Sequence, residues 1–210
     1  IEASADNLTQ FGDQMARASS KANYSVAQLG EAILTVGGTA KNLAGGTVEL
    51  NTALGVLANR GIKGAEGGTA LRNMILSLSA PTDKAAATLK SLGVSAFDAE
   101  GNLNPLNETF KKLDAAMQSM SQEQKTNVLN NIFNKVDLKS AEAMLAGCGV
   151  EFDNLSASIA SSSGAMQDMA DVQMDNLKGQ MTILGSGLEG LGIQVYEKFE
   201  TPMKEAAETA

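Results

Sequence analysis

Six residues, Gly185-Ser186-Gly187-Leu188-Glu189-Gly190, match by letter the G-x-G-x-x-G pattern whose backbone N–H groups cradle a dinucleotide pyrophosphate. That chemistry needs a strand before the glycines and a helix opening on them. Here the glycines fall inside a helical apolar stripe, which favours helix packing or flexibility. Asp98 to Asn104 carry the acid and glycine of a calcium loop, but not at the spacing of the twelve-residue pattern, so a plain turn is expected. Cys148 stands between two glycines with no histidine to lower its pKa, which points to a structural thiol. Asp168, Asp171 and Asp175 share one helix face and are expected to be solvated rather than ligating. The methionines at 117, 120, 166, 169, 174 and 181 form adaptable stripes, for which use in the core is the favoured reading. The chain has no histidine at all, which removes the commonest general base, the Ser-His and Cys-His pairs and nearly all catalytic zinc sites. No enzymatic activity, metal or cofactor is therefore expected.

The elements that would position these residues are helical. Ala, Leu, Met, Gly and Ser dominate, with six Phe, two Tyr and no Trp, a composition for closely packed helices rather than a large aromatic core. A chain of 210 residues buries roughly 70% of its extended surface, so size permits a real core. The formal charge is −8, and Lys111-Lys112 is the only adjacent basic pair. Without clustered cations to neutralise phosphates, sequence-specific nucleic-acid binding is not expected. A single cysteine excludes an internal disulfide and fits synthesis in a reducing compartment. No segment reaches the roughly 18 to 20 apolar residues of a membrane span. The start at Ile1 without Met suggests a piece of a longer protein.

In chain order, Ile1, Leu8, Phe11, Met15, Ala18 and Ala22 predict an amphipathic helix over 2–21, continuing a rod. Ser25 caps a helix carrying Val26, Leu29, Ile33 and Val36. Gly-Gly-Thr recurs at 37, 45 and 67, and each copy is expected to stop one helix and cap the next. Glycines 61, 64, 67 and 68 then precede Thr69, the expected N-cap of a helix with Leu71, Met74, Ile75 and Leu78 on its buried face and Pro81 at its end. Thr82 caps the following helix, which Gly93 closes. Val94, Ala96 and Leu103 around the turn formers Asp98 to Gly101 predict a small β-hairpin or extended loop near 94–103. Asn104 is expected to cap the next helix, with Pro105 at its first position. That helix carries Leu106, Phe110, Leu113, Met117 and Met120. Ser121 with Gln124 is a capping box, Asp137 caps a further helix, and Phe152, Leu155 and Ile159 stripe another. The result is an all-α protein in three parts: an N-terminal helix over 1–24, a compact helical core over 25–163, and a long helix over 164–210 that breaks near Pro202. In the last part Met166, Ala170, Leu177, Met181, Leu184, Leu188, Leu191 and Val195 repeat at three or four residues as a coiled-coil or partner seam, with Gln173 as its polar position.

The order of glycine cluster, GTALRNM, helix, Pro-Thr, helix, LKSLGV and D-x-x-G-N-L turn resembles the central core region of bacteriophage tail tape measure proteins. The similarity extends upstream through VGGTAKNLAGGTVELNTALGVLANRG and downstream through NNIFNK and GAMQDMADVQMDNLKGQM, covering roughly residues 25 to 195. Its motif positions here are Gly61, Gly64, Gly68, Thr69, Leu71, Arg72, Pro81, Gly93, Asp98 and Gly101. The resemblance implies a structural protein that sets tail length during assembly and leaves through the tube to assist genome delivery. The alternative it leaves is a membrane-active or partner-binding helical module acting in genome entry. It further implies residence in the tail lumen of the virion, or origin in a prophage, after synthesis and assembly in the host cytoplasm. The implied partners are tail tube and tail tip proteins and tail assembly chaperones, with self-association through the C-terminal helix and transient membrane contact.

Overall fold

The computed structural model describes residues 5–182, and all of their regular structure is helical. Nine α-helices follow one another: α1 Ala5–Lys21, α2 Val26–Val36, α3 Gly46–Asn59, α4 Gly64–Ser79, α5 Asp83–Ser91, α6 Leu106–Met117, α7 Gln122–Phe133, α8 Leu138–Gly147 and α9 Val150–Ala160. A 3-10 turn, Gly37–Asn42, joins α2 to α3, and residues 165–182 form a further helix. The chain divides into two compact units, Ile1–Met166 and Gln167–Ala210.

Helix α3 is the axis of the first unit. Every residue from Glu49 to Ala58 is buried, as befits a helix covered on all sides, and α1, α9, α8 and α4 pack around it. The most extensive pairing is α2 with α4. A second group forms where α7 lies on α5, α4 and α8, and α6 on α8. There the Phe110 and Phe133 rings stack with centroids 5.5 Å apart and planes 9° from parallel, both fully buried beside Leu106, Leu113 and Met117.

Local signals produced several helix starts as expected. Ser25 and Ser121 each accept from the backbone N–H three residues on, Gln28 and Gln124, whose side chains return the bond to the cap backbone. Thr82 accepts from the Ala85 N–H. Gly93 adopts a φ of +67° after α5, the left-handed conformation that a helix stop wants.

Several expectations are corrected or narrowed. Thr69 is not an N-cap: α4 begins five residues earlier, and Gly64, Gly67 and Gly68 lie inside it. The Gly-Gly-Thr triplets accordingly differ in use, Gly37 ending α2 with a φ of +57° while the copy at 67 stays helical. Asn104 does not cap α6. Its side-chain amide donates to the Ser95 carbonyl, and Pro105 occupies the cap position. Of the two alternatives expected at 94–103, the extended loop is found and the hairpin is not. The chain there is an extended loop with a single antiparallel bridge, Phe97 to Leu103. The Asp98 carboxylate takes the N–H groups of Glu100 and Asn102, which closes the turn on itself, and Pro105 has no N–H with which to extend a ladder. Finally, the buried face of α1 is made of Ala16, Ala18, Asp13 and Gln14, whereas Leu8 is 72% exposed.

Candidate functional site: a glycine seam, a loop groove and polar clasps

The motif residues fall into two places. Gly61, with a φ of +82°, turns the chain out of α3, and Gly64 starts α4 with a φ of +56°. Gly68 faces α2 so closely that a Cβ there would run into the Ala32 carbonyl oxygen and come 2.7 Å from Thr35 Cβ. Gly67 likewise leaves only 2.9 Å to the Ile62 carbonyl oxygen for such an atom. Gly68 thus lets the α2 and α4 backbones come together, and Gly67 lets α4 lie against the turn before it. Leu71 is fully buried behind them, while Thr69 and Arg72 are partly exposed.

Pro81 and Gly93 line a shallow groove of about 390 Å³ together with Leu78, Leu89 and Phe97. On the other side of Phe97, Asp98 and Gly101 line a groove of about 680 Å³ with Lys41, Leu43 and Pro105. The Asp98 carboxyl is held below the usual carboxylate range, first by the Asn102 backbone N–H and then by the Asn102 side chain and the Glu100 and Gly101 amides. Its oxygens are thus committed to their own turn. Among the described residues no group of three or more His, Cys, Asp or Glu could hold a metal ion.

Cys148 is partly buried, with its thiol directed to the Leu145 carbonyl at 3.0 Å. Burial and then the Asp114 charge push its pKa up, the opposite of what a nucleophile needs.

The sequence did not reveal a set of side chains that cap helices far away in the chain. Buried Glu49 accepts the Leu106 N–H through Oε1 and the Gly45 N–H through Oε2, the latter at 2.7 Å. It thereby supplies α6 with the cap that Pro105 cannot give. Asn107 accepts the Gly149 N–H at 2.7 Å and donates to Asp153 Oδ1 at 2.7 Å, fixing the start of α9. Asp137 sits at the head of α8 but makes no side-chain cap there. Its carboxylate accepts from the side-chain amides of Asn73 and Asn134 instead. Asp13 of α1 accepts the N–H groups of Gly164 and Met166, both at 2.9 Å. A detectable signal existed for one of them: Glu49 is the only charge between Lys41 and Arg60.

Arg60 and Glu151 tie α3 to α9 through paired bonds of 2.8 and 3.1 Å, and the Asn59 side chain adds a third at 3.0 Å. The Arg60 hydrogen bond, supported by Asn59 and the Arg60 charge, holds the Glu151 carboxyl below its usual value of 4.5 despite partial burial. A carboxyl whose folded pKa is depressed stabilises the fold above its unfolded pKa, and the contribution disappears as pH falls through the folded value. Thermal melts of the wild type and Glu151→Gln should differ by a constant amount above the unfolded carboxyl range, and the difference should shrink as pH falls through that range towards the depressed folded value. The pair is partly solvent-exposed, so the difference should stay near or below about 1 kcal/mol. A gap that persists undiminished at pH 3 would show that the carboxylate charge is not its source.

The expected partner seam is solvent-facing where it is described. Met166 is 48%, Leu177 54% and Met181 63% exposed, with Ala170, Val172 and Met174 also open to solvent. Of the methionine stripes only Met117 is fully in the core, and Met120 packs against its edge. Core use therefore fails for Met166, Met174 and Met181, which are exposed among the described residues. Asp168, Asp171 and Asp175 are exposed on the same helix, Asp171 accepting from the Gln167 side chain at 2.8 Å. Leu184, Leu188, Leu191 and Val195, the glycine hexad at 185–190 and the break near Pro202 lie outside the described residues.

A family model described as phage-related minor tail protein matches residues 1–134. The tape measure protein of Pneumococcus phage Dp-1 is 29% identical over 209 residues, which is 95% of this chain and 18% of that protein. The probable tape measure protein of Escherichia phage P2 is 26% identical over 214 residues, which is the whole of this chain and 26% of that protein. The chain thus spans between about a sixth and a quarter of the length of these curated relatives. No solved structure matches it.

Proposed function

The chain belongs to the phage-related minor tail protein family, and from that premise we propose that it is an internal segment of a tape measure protein, structural rather than catalytic. The observation that carries this reading is the span of the two matches: relatives named as tape measure proteins align with nearly the whole chain, through its core and the helix over 165–182 alike. In this role the protein lies in the lumen of the growing tail after synthesis in the host cytoplasm, sets tail length, and leaves through the tube to assist genome delivery. The physics of a helical ruler is simple, since a helix advances about 1.5 Å per residue.

The stripe at Met166, Ala170, Leu177 and Met181 fits self-association or contact with tail tube and tail tip proteins, because burying an apolar helix face is favourable at roughly 25 cal/mol per Å². The same exposed stripe supports the second reading, a helical module that engages a membrane surface or a delivery partner during genome entry. No helix among the described residues is long and apolar enough to cross a membrane. Co-sedimentation with liposomes separates the two uses of the stripe.

The test of the main reading is tail length by electron microscopy in particles whose full-length protein lacks residues 171–198, four heptads removed in phase. Tails should shorten by about 42 Å at about 1.5 Å per residue. Tails of unchanged length would remove this segment from the ruler and, if infectivity fell, assign it to delivery.

A further inference from the structure

The chain enters the first unit on α1 and leaves it at the head of the helix over 165–182. These two points are joined directly. Asp13 Oδ2 accepts the Gly164 N–H and Oδ1 the Met166 N–H, each at 2.9 Å, across sequence separations of 151 and 153 residues. Asp13 itself is 7% exposed, so the bonds are shielded from competing water. One residue earlier, Gly12 offers bare backbone to Met166. A Cβ at Gly12 would come 3.0 Å from the Met166 sulfur. The closure does not hang on one carboxylate, because α1 also packs along both α3 and α9.

A ruler counts the distance between where a segment begins and where it ends. For a straight helix of 151 residues that distance would be about 227 Å, at about 1.5 Å per residue. For this segment it is the reach of one aspartate side chain. We infer that residues 13–164 form a closed loop on the tape, gathered at the Asp13 clasp, and add no length to it, so that only the chain before and after the clasp measures. This rests on the tape measure reading above.

Two measurements test it in particles that carry the full-length protein. Deleting residues 14–163, which joins Asp13 to Gly164, should leave tail length unchanged, whereas shortening by about 225 Å (150 residues at about 1.5 Å) would overturn the inference. So large a deletion can block assembly, and the second measurement leaves the core whole. Dyes are placed through Ser20→Cys and Ser163→Cys in a Cys148→Ser background, both positions being exposed. Energy transfer between them in assembled tails should be as efficient as in the free protein. Its loss on assembly would overturn the inference, because a straight helix would hold the two sites about 215 Å apart. The helix deletion over 171–198 keeps the two readings distinct: if it leaves length unaltered the ruler reading of that helix fails, whereas a tail shortened there and also by the core deletion sinks the closed loop alone.

Discussion

Phe110→Ala should lower the stability of the first unit by about 3 to 5 kcal/mol, the largest effect expected of any single truncation in this core. Phe110 is fully buried and its ring lies 5.5 Å from that of Phe133, nearly parallel. Truncation removes both the transfer free energy of the ring and its contacts with Phe133. Leu106, Leu113 and Met117 surround the site at zero exposure, so the walls have little room to collapse into the void. For a unit of this size each 1 kcal/mol moves the thermal midpoint by about 2–4 °C, which gives a fall on the order of 10 °C. Phe110→Leu separates the two losses: it keeps much of the volume and forfeits the ring pair, worth about 0.5–1.5 kcal/mol. A calorimetric midpoint within about 2 °C of wild type for the alanine variant would mean that α6 is not part of the cooperative unit.

Gly68→Ala should also be destabilising, although general helix propensity argues the other way. Alanine is favoured over glycine within a helix by about 1 kcal/mol. Against this, the new methyl would collide with the Ala32 carbonyl oxygen and with Thr35 Cβ at 2.7 Å. A backbone carbonyl cannot rotate aside, so α2 and α4 must separate along their whole contact. Overpacking of this kind costs typically about 1–3 kcal/mol and occasionally more; with rigid backbone on one side the upper end applies, and the net loss should be about 2 kcal/mol. Gly38→Ala is the control, since nothing lies within 4 Å of a Cβ there, and its midpoint should hardly change. If Gly68→Ala melted at or above the wild-type temperature, the close approach of α2 and α4 would be wrong.

What could be read from the sequence was what is decided locally. Ser25, Thr82 and Ser121 bond to amides three residues away, and the apolar stripes of α4 and α6 follow a 3.6-residue period, so a short window contains all the information. The start of α4 is not legible locally because Gly68 has a tertiary reason to be helical, the nearness of the α2 backbone, which no window shows. The centrality of α3 was hidden for a related cause. A helix buried on every side from Glu49 to Ala58 has no polar face and hence no stripe to detect. The caps on α6, α9 and the helix at 165 come from Glu49, Asn107 and Asp13, between 42 and 153 residues distant. Proximity on that scale is created by the fold. The motif glycines were recognisable as a pattern, yet their division into a helix seam and a loop groove emerged only in three dimensions.

The Asp13 clasp also sets a timetable for the newborn chain. Its acceptor is synthesised 151 and 153 residues before its two donors. At about 5–20 residues per second, the ribosome adds those residues in roughly 8 to 30 seconds, far longer than the microsecond scale on which a helix forms. Throughout that interval α1 exists without the residues that bond to Asp13. The first-made helix of this unit must therefore wait for its last, and the unit can be completed only when its final turn has left the exit tunnel.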